Sequence, residues 1–179
     1  ASIIHGNAGG PLLISYGEMI GINTMIYSPT GGSIGIGFAV PVNTARRVVP
    51  DLIEFGVVRR GWIEIIPRQL FPQLVQYAQL PVEHGLLVSE VIEGGNADAA
   101  GIRGGDRQNA VRYGRTVIYL GGDIITAVDG MEVSSIANLY EALEDNRPGD
   151  TVTVEIVRGR RRIETEVVLN ERPDRFQWD

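Results

Sequence analysis

The sequence predicts a mainly β, α+β protein in which a strand-rich amino-terminal segment, closed by a helix, precedes a separate α+β domain. Three observations support this prediction. Apolar stretches broken by glycine fill residues 11–40, apolar residues recur at helical spacing from residue 43, and strand-like stretches alternate with short helices beyond residue 61. The 179 residues, 44% of them apolar, suffice for one complete core and part of a second.

The amino-terminal segment has a hairpin-rich pattern. The stretch "PLLISYGEMIGINTMI" predicts strands on either side of Tyr16-Gly17, "YSPTGGS" predicts a loop, and "IGIGFAVP" predicts a returning strand. A helix should follow from Asn43 to Gly56, because apolar residues recur at helical intervals at Val48, Val49, Leu52, Ile53 and Phe55.

The second domain should begin after the linker-like Arg59-Arg60-Gly61. Its strands are predicted at residues 62–66, 86–92, 124–128, 152–157 and 163–169. A helix over residues 135–146 would present one apolar stripe formed by Ile136, Leu139, Tyr140 and Leu143. A shorter helix after Phe71-Pro72 should turn Leu74, Tyr77 and Ala78 inward.

The tripeptide "GGD" occurs twice in this domain, at residues 104–106 and 121–123. The stretch between the copies carries β-branched residues on both sides of Tyr113-Gly114. It therefore predicts an inserted β-hairpin that turns at those two residues.

Composition and spacing exclude several classes of function. A net charge of −6 disfavours nucleic acid as a partner, and we interpret the basic run "RGRRR" as solvated turn arginines. The chain has no cysteine and only His5 and His84, so we expect neither a metal nor another cofactor. The glycines of "GSIGIGFAVP" precede Pro41 and a strand, which is the wrong context for a dinucleotide fingerprint. We find no apolar run long enough to span a bilayer and no basic leader.

The stretch "HGNAGGPLL" near the amino end is unusual because so many glycines surround a plain alanine, Ala8. Such a run gives up much backbone entropy, so packing alone is a poor reason for it. It resembles the nucleophile loop "GNSGGPL" of the chymotrypsin-like serine proteases of the HtrA (Deg) family, with Ala8 at the position of the serine. Residues 17–53 are similar to that family's strand, specificity loop, strand and closing helix, in order.

The later motifs "RRGWIEI", "AGIRGGD", "GGDIITAVDG" and "LYEAL" resemble the PDZ domain of the same family. The resemblance implies the carboxyl-terminal part of a chymotrypsin-like double β-barrel over residues 1–60. It also implies a PDZ domain over residues 61–171, with the inserted hairpin near 106–121, and a tail over 172–179.

For the protease segment, the resemblance implies that Gly6 and Asn7 belong to an oxyanion loop around Ala8. The backbone N–H groups of Gly6 and residue 8 would stabilise the oxyanion of the scissile carbonyl. A second set of residues would line the primary specificity pocket and pair with the substrate backbone: Ser33, Ile34, Gly35, Ile36, Gly37 and Phe38. The apolar Ile34 and Ile36 favour small or medium aliphatic side chains.

For the PDZ segment, the resemblance implies that a peptide adds as a strand between a loop-and-strand and a helix. The loop and strand would be formed by Trp62, Ile63, Glu64 and Ile65, and the helix would present Ile136, Leu139, Tyr140 and Leu143. Glu64 stands where the family commonly has glycine. Like-charge repulsion from its carboxylate argues against a free C terminus as ligand and for an internal or regulatory contact.

The family resemblance implies a serine endopeptidase that degrades unfolded or damaged proteins, works outside the cytoplasm, and assembles as a trimer or larger homo-oligomer. Ala8 removes the attacking oxygen, either by an engineered Ser→Ala change or in a naturally inactive homologue. The histidine and aspartate of the triad, and any membrane anchor, would lie upstream, and we interpret His5 and His84 as structural or solvated. Two rival interpretations are a catalytically dead, peptide-binding PDZ adaptor and a PDZ scaffold with a vestigial leader.

Overall fold

The computed structural model describes residues 6–27 and 36–173, and the chain divides into two compact units, Ala1–Val58 and Arg59–Asp179. In the amino-terminal unit, strands β1 (Pro11–Leu13), β2 (Met19–Tyr27) and β3 (Ile36–Pro41) form an antiparallel sheet in the order β1-β2-β3. Helix α1 (Val42–Phe55) follows directly and ends at Gly56, whose N–H donates to the Leu52 carbonyl. The predicted strands and helix of this segment are confirmed.

The carboxyl-terminal unit is built on a six-stranded antiparallel sheet. Its strands are β5 (Ile65–Gln69), β6 (Leu86–Val91), β9 (Ile124–Val128), β11 (Thr151–Arg158) and β12 (Arg161–Val168), in the order β12-β11-β9-β6-β5, with β10 (Met131–Glu132) paired to β9. Two small ladders accompany it: β4 (Gly61–Trp62) with β13 (Asn170–Glu171), and β7 (Asp106–Tyr113) with β8 (Thr116–Leu120). The helices are α2 (Pro72–Ala78), α3 (Asn96–Ala99) and α4 (Ile136–Leu143).

The main core of this unit lies under α4. Leu139 and Leu143 of that helix are buried with Leu86, Ile125 and Val154 of the sheet. Ser135 caps the helix by accepting a hydrogen bond from the Asn138 N–H at 3.1 Å. The predicted helix over 135–146 is thus about a turn too long, because a turn in which Asn146 N–H bonds the Leu143 carbonyl replaces its last residues.

A second core cluster covers α2 and the inserted hairpin. Leu74 of α2 is buried with Leu87, Ile118 and Ile124. The prediction that Tyr77 turns inward is wrong, since 71% of that residue is exposed. Helical spacing put Tyr77 on the side of Leu74, but the core reaches only part of that face.

The predicted strand over residues 62–66 is interrupted. The backbone leaves the ladder at Ile63 and Glu64, where the Ile65 N–H donates to the Ile63 carbonyl at 2.9 Å, and resumes as β5. Both flanking side chains, Trp62 and Ile65, are buried, so apolarity alone gave no sign of the break.

The inserted hairpin is confirmed, and its two ends meet at the "GGD" copies. Gly105 N–H donates to the Val88 carbonyl at 3.1 Å. A Cβ on Gly122 would collide with that same carbonyl and lie 2.7 Å from the Gly105 nitrogen. Only glycine lets these two backbone segments approach so closely.

Asp123, which ends the second "GGD", is a buried anchor. Its carboxylate accepts hydrogen bonds from Arg158 Nε at 2.8 Å, Arg158 Nη2 at 2.7 Å and the Arg103 N–H at 2.8 Å. The hydrogen bond to Asp123 raises the pKa of Arg158; burial opposes that rise and Coulombic attraction to Asp123 adds to it. Two charge-assisted bonds therefore tie the base of the hairpin to β11, and the third ties it to Arg103.

Candidate functional site

The amino-terminal turn over residues 6–10 is held to β2 by backbone hydrogen bonds. Gly9 N–H donates to the Asn23 carbonyl at 2.7 Å, and the Asn23 N–H donates to the Gly10 carbonyl at 2.9 Å. Gly10 N–H closes the turn on the Asn7 carbonyl at 3.0 Å. The turn is therefore fixed from its carboxyl-terminal side to Asn23 of β2, where the pairing of β2 with β3 shifts register.

The backbone amides of Gly6 and Ala8, at the start of the turn, differ from those of Gly9 and Gly10 in their hydrogen bonding. Within residues 6–27 and 36–173, neither the Gly6 nor the Ala8 N–H donates a hydrogen bond. Gly6 has a φ of +95°, which is in the left-handed region, and Ala8 is exposed. Two backbone donors two residues apart that have no acceptor among the described residues can bind an anionic oxygen, but an alanine side chain offers no nucleophile.

Strand β3 contains the described half of the predicted specificity residues. Ile36, Gly37 and Phe38 pair with Tyr27, Ile26 and Met25 of β2, and no described strand pairs with the other edge of β3. Ile36 and Phe38 are 61% and 47% exposed. Ser33, Ile34 and Gly35 lie outside the described residues.

In the second unit, the predicted peptide loop is mostly core. Trp62, Ile63 and Ile65 are buried, backbone included, whereas Glu64 is half-buried. The Glu64 N–H donates to Asn96 Oδ1 at 2.8 Å, and Glu64 Oε2 accepts from the Asn96 N–H at 2.8 Å and from Asn170 Nδ2 at 2.7 Å. Asn96 also donates through Nδ2 to the Trp62 carbonyl at 2.7 Å.

Helix α4, which the sequence predicted to border the bound peptide, lies beside this loop. Leu139 and Leu143 belong to the core, while Ile136 and Tyr140 are half-buried. Tyr140 stacks on Trp62 with ring centroids 5.3 Å apart, and the Arg172 guanidinium lies 5.2 Å from the Tyr140 ring centre. The structure thus brings the loop and the helix together through the Trp62–Tyr140 pair.

Sequence reasoning missed Asn96, Asn170 and Arg172 as neighbours of this loop. Asn96 follows "EGG" and begins a short helix, and this pattern signals a helix start but not a contact with residue 64. Asn170 is 106 positions from Glu64. A pairing over such a distance leaves no trace in local spacing.

The remaining polar groups give no sign of a metal centre. Across the described ranges, no cluster of three or more His, Asp or Glu side chains is placed to hold a metal ion. His84 is exposed and borders a cavity of about 630 Å³ together with Glu132 and Arg162. His5 lies outside the described residues. No helix in the described part of the chain combines the length and apolarity that crossing a bilayer requires.

Comparisons with known proteins agree with both units. The PDZ domain family model matches residues 32–169 and the trypsin family model matches residues 1–49. Protease Do-like 1, chloroplastic, of Arabidopsis thaliana is 43% identical over 97% of this chain and 37% of its own length. The periplasmic pH-dependent serine endoprotease DegQ of Escherichia coli strain K12 is 38% identical over 95% of the chain and 34% of its own length.

Solved structures give the same picture. The HtrA-type protease AlgW with decapeptide superposes with a TM-score of 0.64 at 32% identity, covering 97% of this chain and 48% of that one. The serine endoprotease from Yersinia pestis gives a TM-score of 0.53 at 30% identity, with 97% and 50% covered. The chain spans about a third of the length of the curated relatives it matches. It belongs to the HtrA/Deg family of serine proteases and carries part of a trypsin-like domain and a PDZ domain.

Proposed function

We propose that the protein to which this chain belongs is an HtrA-type serine endopeptidase whose nucleophile position is residue 8, here alanine. The observation that carries this proposal is that, among the described residues, the backbone N–H groups of Gly6 and Ala8 donate no hydrogen bond, whereas those of Gly9 and Gly10 are bonded to β2 and within the turn. With alanine at position 8, this chain is inactive.

In the serine form, the hydroxyl at position 8 attacks the scissile carbonyl carbon and the carbonyl oxygen becomes an oxyanion between the two N–H groups. A histidine outside residues 1–179 takes the hydroxyl proton and passes it to the leaving amine, and an aspartate, also outside them, orients that histidine and stabilises its charged form. The substrate lies along β3, whose outer edge is unpaired among the described strands. Apolar Ile34 and Ile36 favour small or medium aliphatic side chains beside the cleaved bond.

We assign residues 1–60 to the protease and 61–171 to the PDZ domain, whose role is to bind peptide segments or regulate cleavage. An extended segment would add to β5, which is the edge strand of its sheet, beside α4. Ile65 of that strand is buried, so binding of a segment requires that β5 and α4 move apart.

Substrates are unfolded or damaged polypeptides, and the location is extracytoplasmic, in keeping with relatives that are named periplasmic endoproteases. Several large apolar side chains of the first unit are exposed, among them Tyr16 at 89% and Ile53 at 81%. The rest of a protease domain and neighbouring protomers of a trimer or larger homo-oligomer would cover such surface. No cofactor takes part.

The test is Ala8→Ser in the longer protein, assayed by casein degradation. We expect activity from A8S and none from a matched Ala8→Gly variant, which changes the same position without adding a hydroxyl. Activity of A8G equal to that of A8S would contradict the assignment of residue 8.

The second candidate function is a peptide-binding adaptor that has lost protease activity, and the observation that favours it is Ala8 itself. It predicts that A8S stays inactive although it is folded and still captures peptides. Deleting residues 1–60 separates a third possibility, a PDZ scaffold, which requires that peptide capture and assembly are both unchanged by the deletion.

A further inference from the structure

We infer that this PDZ domain does not select the free C terminus of its ligand, because Glu64 and Asn96 close the loop that would receive a terminal carboxylate. The domain instead takes internal, extended apolar segments. This inference rests on the peptide-binding role proposed above and names the class of ligand.

Capture of a terminal carboxylate depends on consecutive backbone N–H groups that are free to point at it. In this chain two of these groups, at Glu64 and Ile65, are engaged. The Glu64 N–H donates to Asn96 Oδ1 at 2.8 Å and the Ile65 N–H donates to the Ile63 carbonyl at 2.9 Å. A ligand carboxylate would have to displace both bonds before it gained any of its own.

The loop also contains a carboxylate already. Glu64 Oε2 accepts from the Asn96 N–H and from Asn170 Nδ2, at 2.8 and 2.7 Å, so its charge is fixed at the loop. Two cations on the adjoining segments are paired with acids: Arg59 with Glu171 and Arg60 with Glu144. Arg172 lies over the Tyr140 ring. A second carboxylate here would meet repulsion in a partly desolvated place.

The outer edge of β5 is poor in donors as well. The Glu64 carbonyl accepts from the Ile92 N–H, beside β6, and the Leu70 N–H donates to the Gly85 carbonyl, so even-numbered backbone groups face β6. Odd-numbered groups therefore face the outer edge.

On that outer edge, Pro67 has no N–H and the Ile65 N–H is already bonded, which leaves Gln69 as the N–H donor of the strand. The edge consequently offers mainly carbonyl acceptors. A segment held there gains from its own N–H groups and from apolar contact with Ile136 and Tyr140, and none of these contacts requires a chain end.

The experiment captures a random decapeptide library on the immobilised 179-residue chain. The library is made twice, once with free carboxyl and once with amidated C termini, and the two captured amounts are compared by mass spectrometry. For the unchanged chain we expect the acid-to-amide ratio to stay within about twofold of one. A preference for the free acid of about tenfold or more would overturn the inference.

Variants test separately the two features that close the loop, which are the charge of Glu64 and the hydrogen bond from the Glu64 N–H to Asn96. The double variant E64G/N96A removes the fixed carboxylate and the acceptor on residue 64, and should raise the acid-to-amide ratio about tenfold. E64Q keeps an acceptor for the Asn96 N–H and removes only the charge, so its ratio should rise less. Glu83→Gln is the matched control, since it removes an exposed charge elsewhere in the unit, and its ratio should equal that of the parent.

The Trp62–Tyr140 pair provides the folding check through near-UV circular dichroism. If the unchanged chain captures neither library, the peptide-binding role fails for this chain. In that case E64G/N96A alone tests whether Glu64 and Asn96 close the loop. Selective capture of the free-acid library by the folded double variant supports the inference, and capture of neither library overturns it. Pro67→Val should raise capture of both libraries equally, because it restores a donor that does not distinguish chain ends.

Discussion

Gly6 is the residue whose backbone conformation the proposed chemistry depends on most directly. Its φ of +95° is rarely adopted by L side chains, and nothing lies within 4 Å of the position a Cβ would take. Substitution should therefore turn the amide without a steric clash. In the A8S form of the longer protein, we expect Gly6→Val to lower kcat by about a hundredfold or more, the usual effect of losing one oxyanion donor.

Gly17 supplies the control for Gly6→Val. It has a similar φ of +81°, also with nothing within 4 Å, but it closes the turn from Ile14 between β1 and β2. Gly17→Val should strain the backbone to the same degree and leave kcat within about threefold of the parent value. Equal losses of kcat in the two variants would contradict a special role for the Gly6 amide.

Asp123 should be the most sensitive polar residue of the second unit. Asp123→Asn leaves the Arg158 guanidinium with a neutral partner at a site where the aspartate is only 1% exposed. We expect the free energy of unfolding in urea to fall by about 3 kcal/mol. The pKa of Arg158 is raised, so its contribution to the free energy of unfolding is fully present at every pH below the ordinary pKa of arginine. The difference between D123N and the parent that comes from Arg158 should therefore be constant between about pH 6 and 9.

Glu171→Gln is the comparison for Asp123→Asn. It removes the acid from the exposed Arg59–Glu171 pair, whose side chains are 37% and 52% accessible. Screening by water should limit the loss to less than about 1 kcal/mol. A loss for D123N as small as that for E171Q would show that the buried pair is not an anchor.

Single residues also show how far the sequence could be interpreted. The charge of Glu64 and its conflict with a carboxylate ligand are properties of one position and could be predicted. Its bonds to Asn96 and Asn170, 32 and 106 positions away, depend on how the chain returns to the loop. Neither residue type nor local spacing contains that information.

Among the elements, the β7–β8 hairpin is part of the core. Ile118 of β8 is 3% exposed and packs with Leu74 and Ile124, whereas its neighbour Val117 is 41% exposed. We expect Ile118→Ala to lower the free energy of unfolding by about 3 kcal/mol, because it leaves a cavity between α2 and the sheet.

Val117→Ala is the matched control on the same strand, and should lower the free energy of unfolding by less than about 1 kcal/mol. Both variants can be measured by urea titration with far-UV circular dichroism. A loss for I118A as small as that for V117A would mean that the hairpin is only an appendage.

Elements with a strong local signal were the ones predicted well. The end of α1 at Gly56 follows from glycine placement and is confirmed. The hairpin turn, predicted at Tyr113-Gly114, lies one residue later, at Gly114-Arg115, because Tyr113 still pairs with Thr116. The break at Ile63 and Glu64 and the exposure of Tyr77 depend on tertiary packing. The mainly apolar residues 62–66 therefore predicted a continuous strand and helical spacing predicted an inward Tyr77, and both predictions were wrong.

For the whole molecule, the two units differ in how much core they possess. Ala45 is the single buried apolar side chain among residues 6–27 and 36–58, whereas residues 59–173 hold two apolar clusters of their own. We expect residues 59–179, produced alone, to fold cooperatively, as judged by dispersed amide NMR signals and one urea transition.

Residues 1–58 produced alone provide the comparison, and we expect them to aggregate or remain unfolded, because the large apolar side chains of α1 and β2 have too little to pack against. A stable, monomeric 1–58 fragment would contradict the proposal that other protein surface covers this unit. Composition predicted one core and part of a second, but which side chains stay uncovered was visible only in the structure.

The stacked Trp62–Tyr140 pair gives the protein an optical reporter of its own. Trp62 and Trp178 are its two tryptophans, so replacing Trp178 by phenylalanine leaves one indole, 2% exposed, between the core and the helix that borders the groove. Its emission should redden and become quenchable by iodide when that helix moves outward. Binding of a peptide between β5 and α4 could then be followed in real time without attaching a dye.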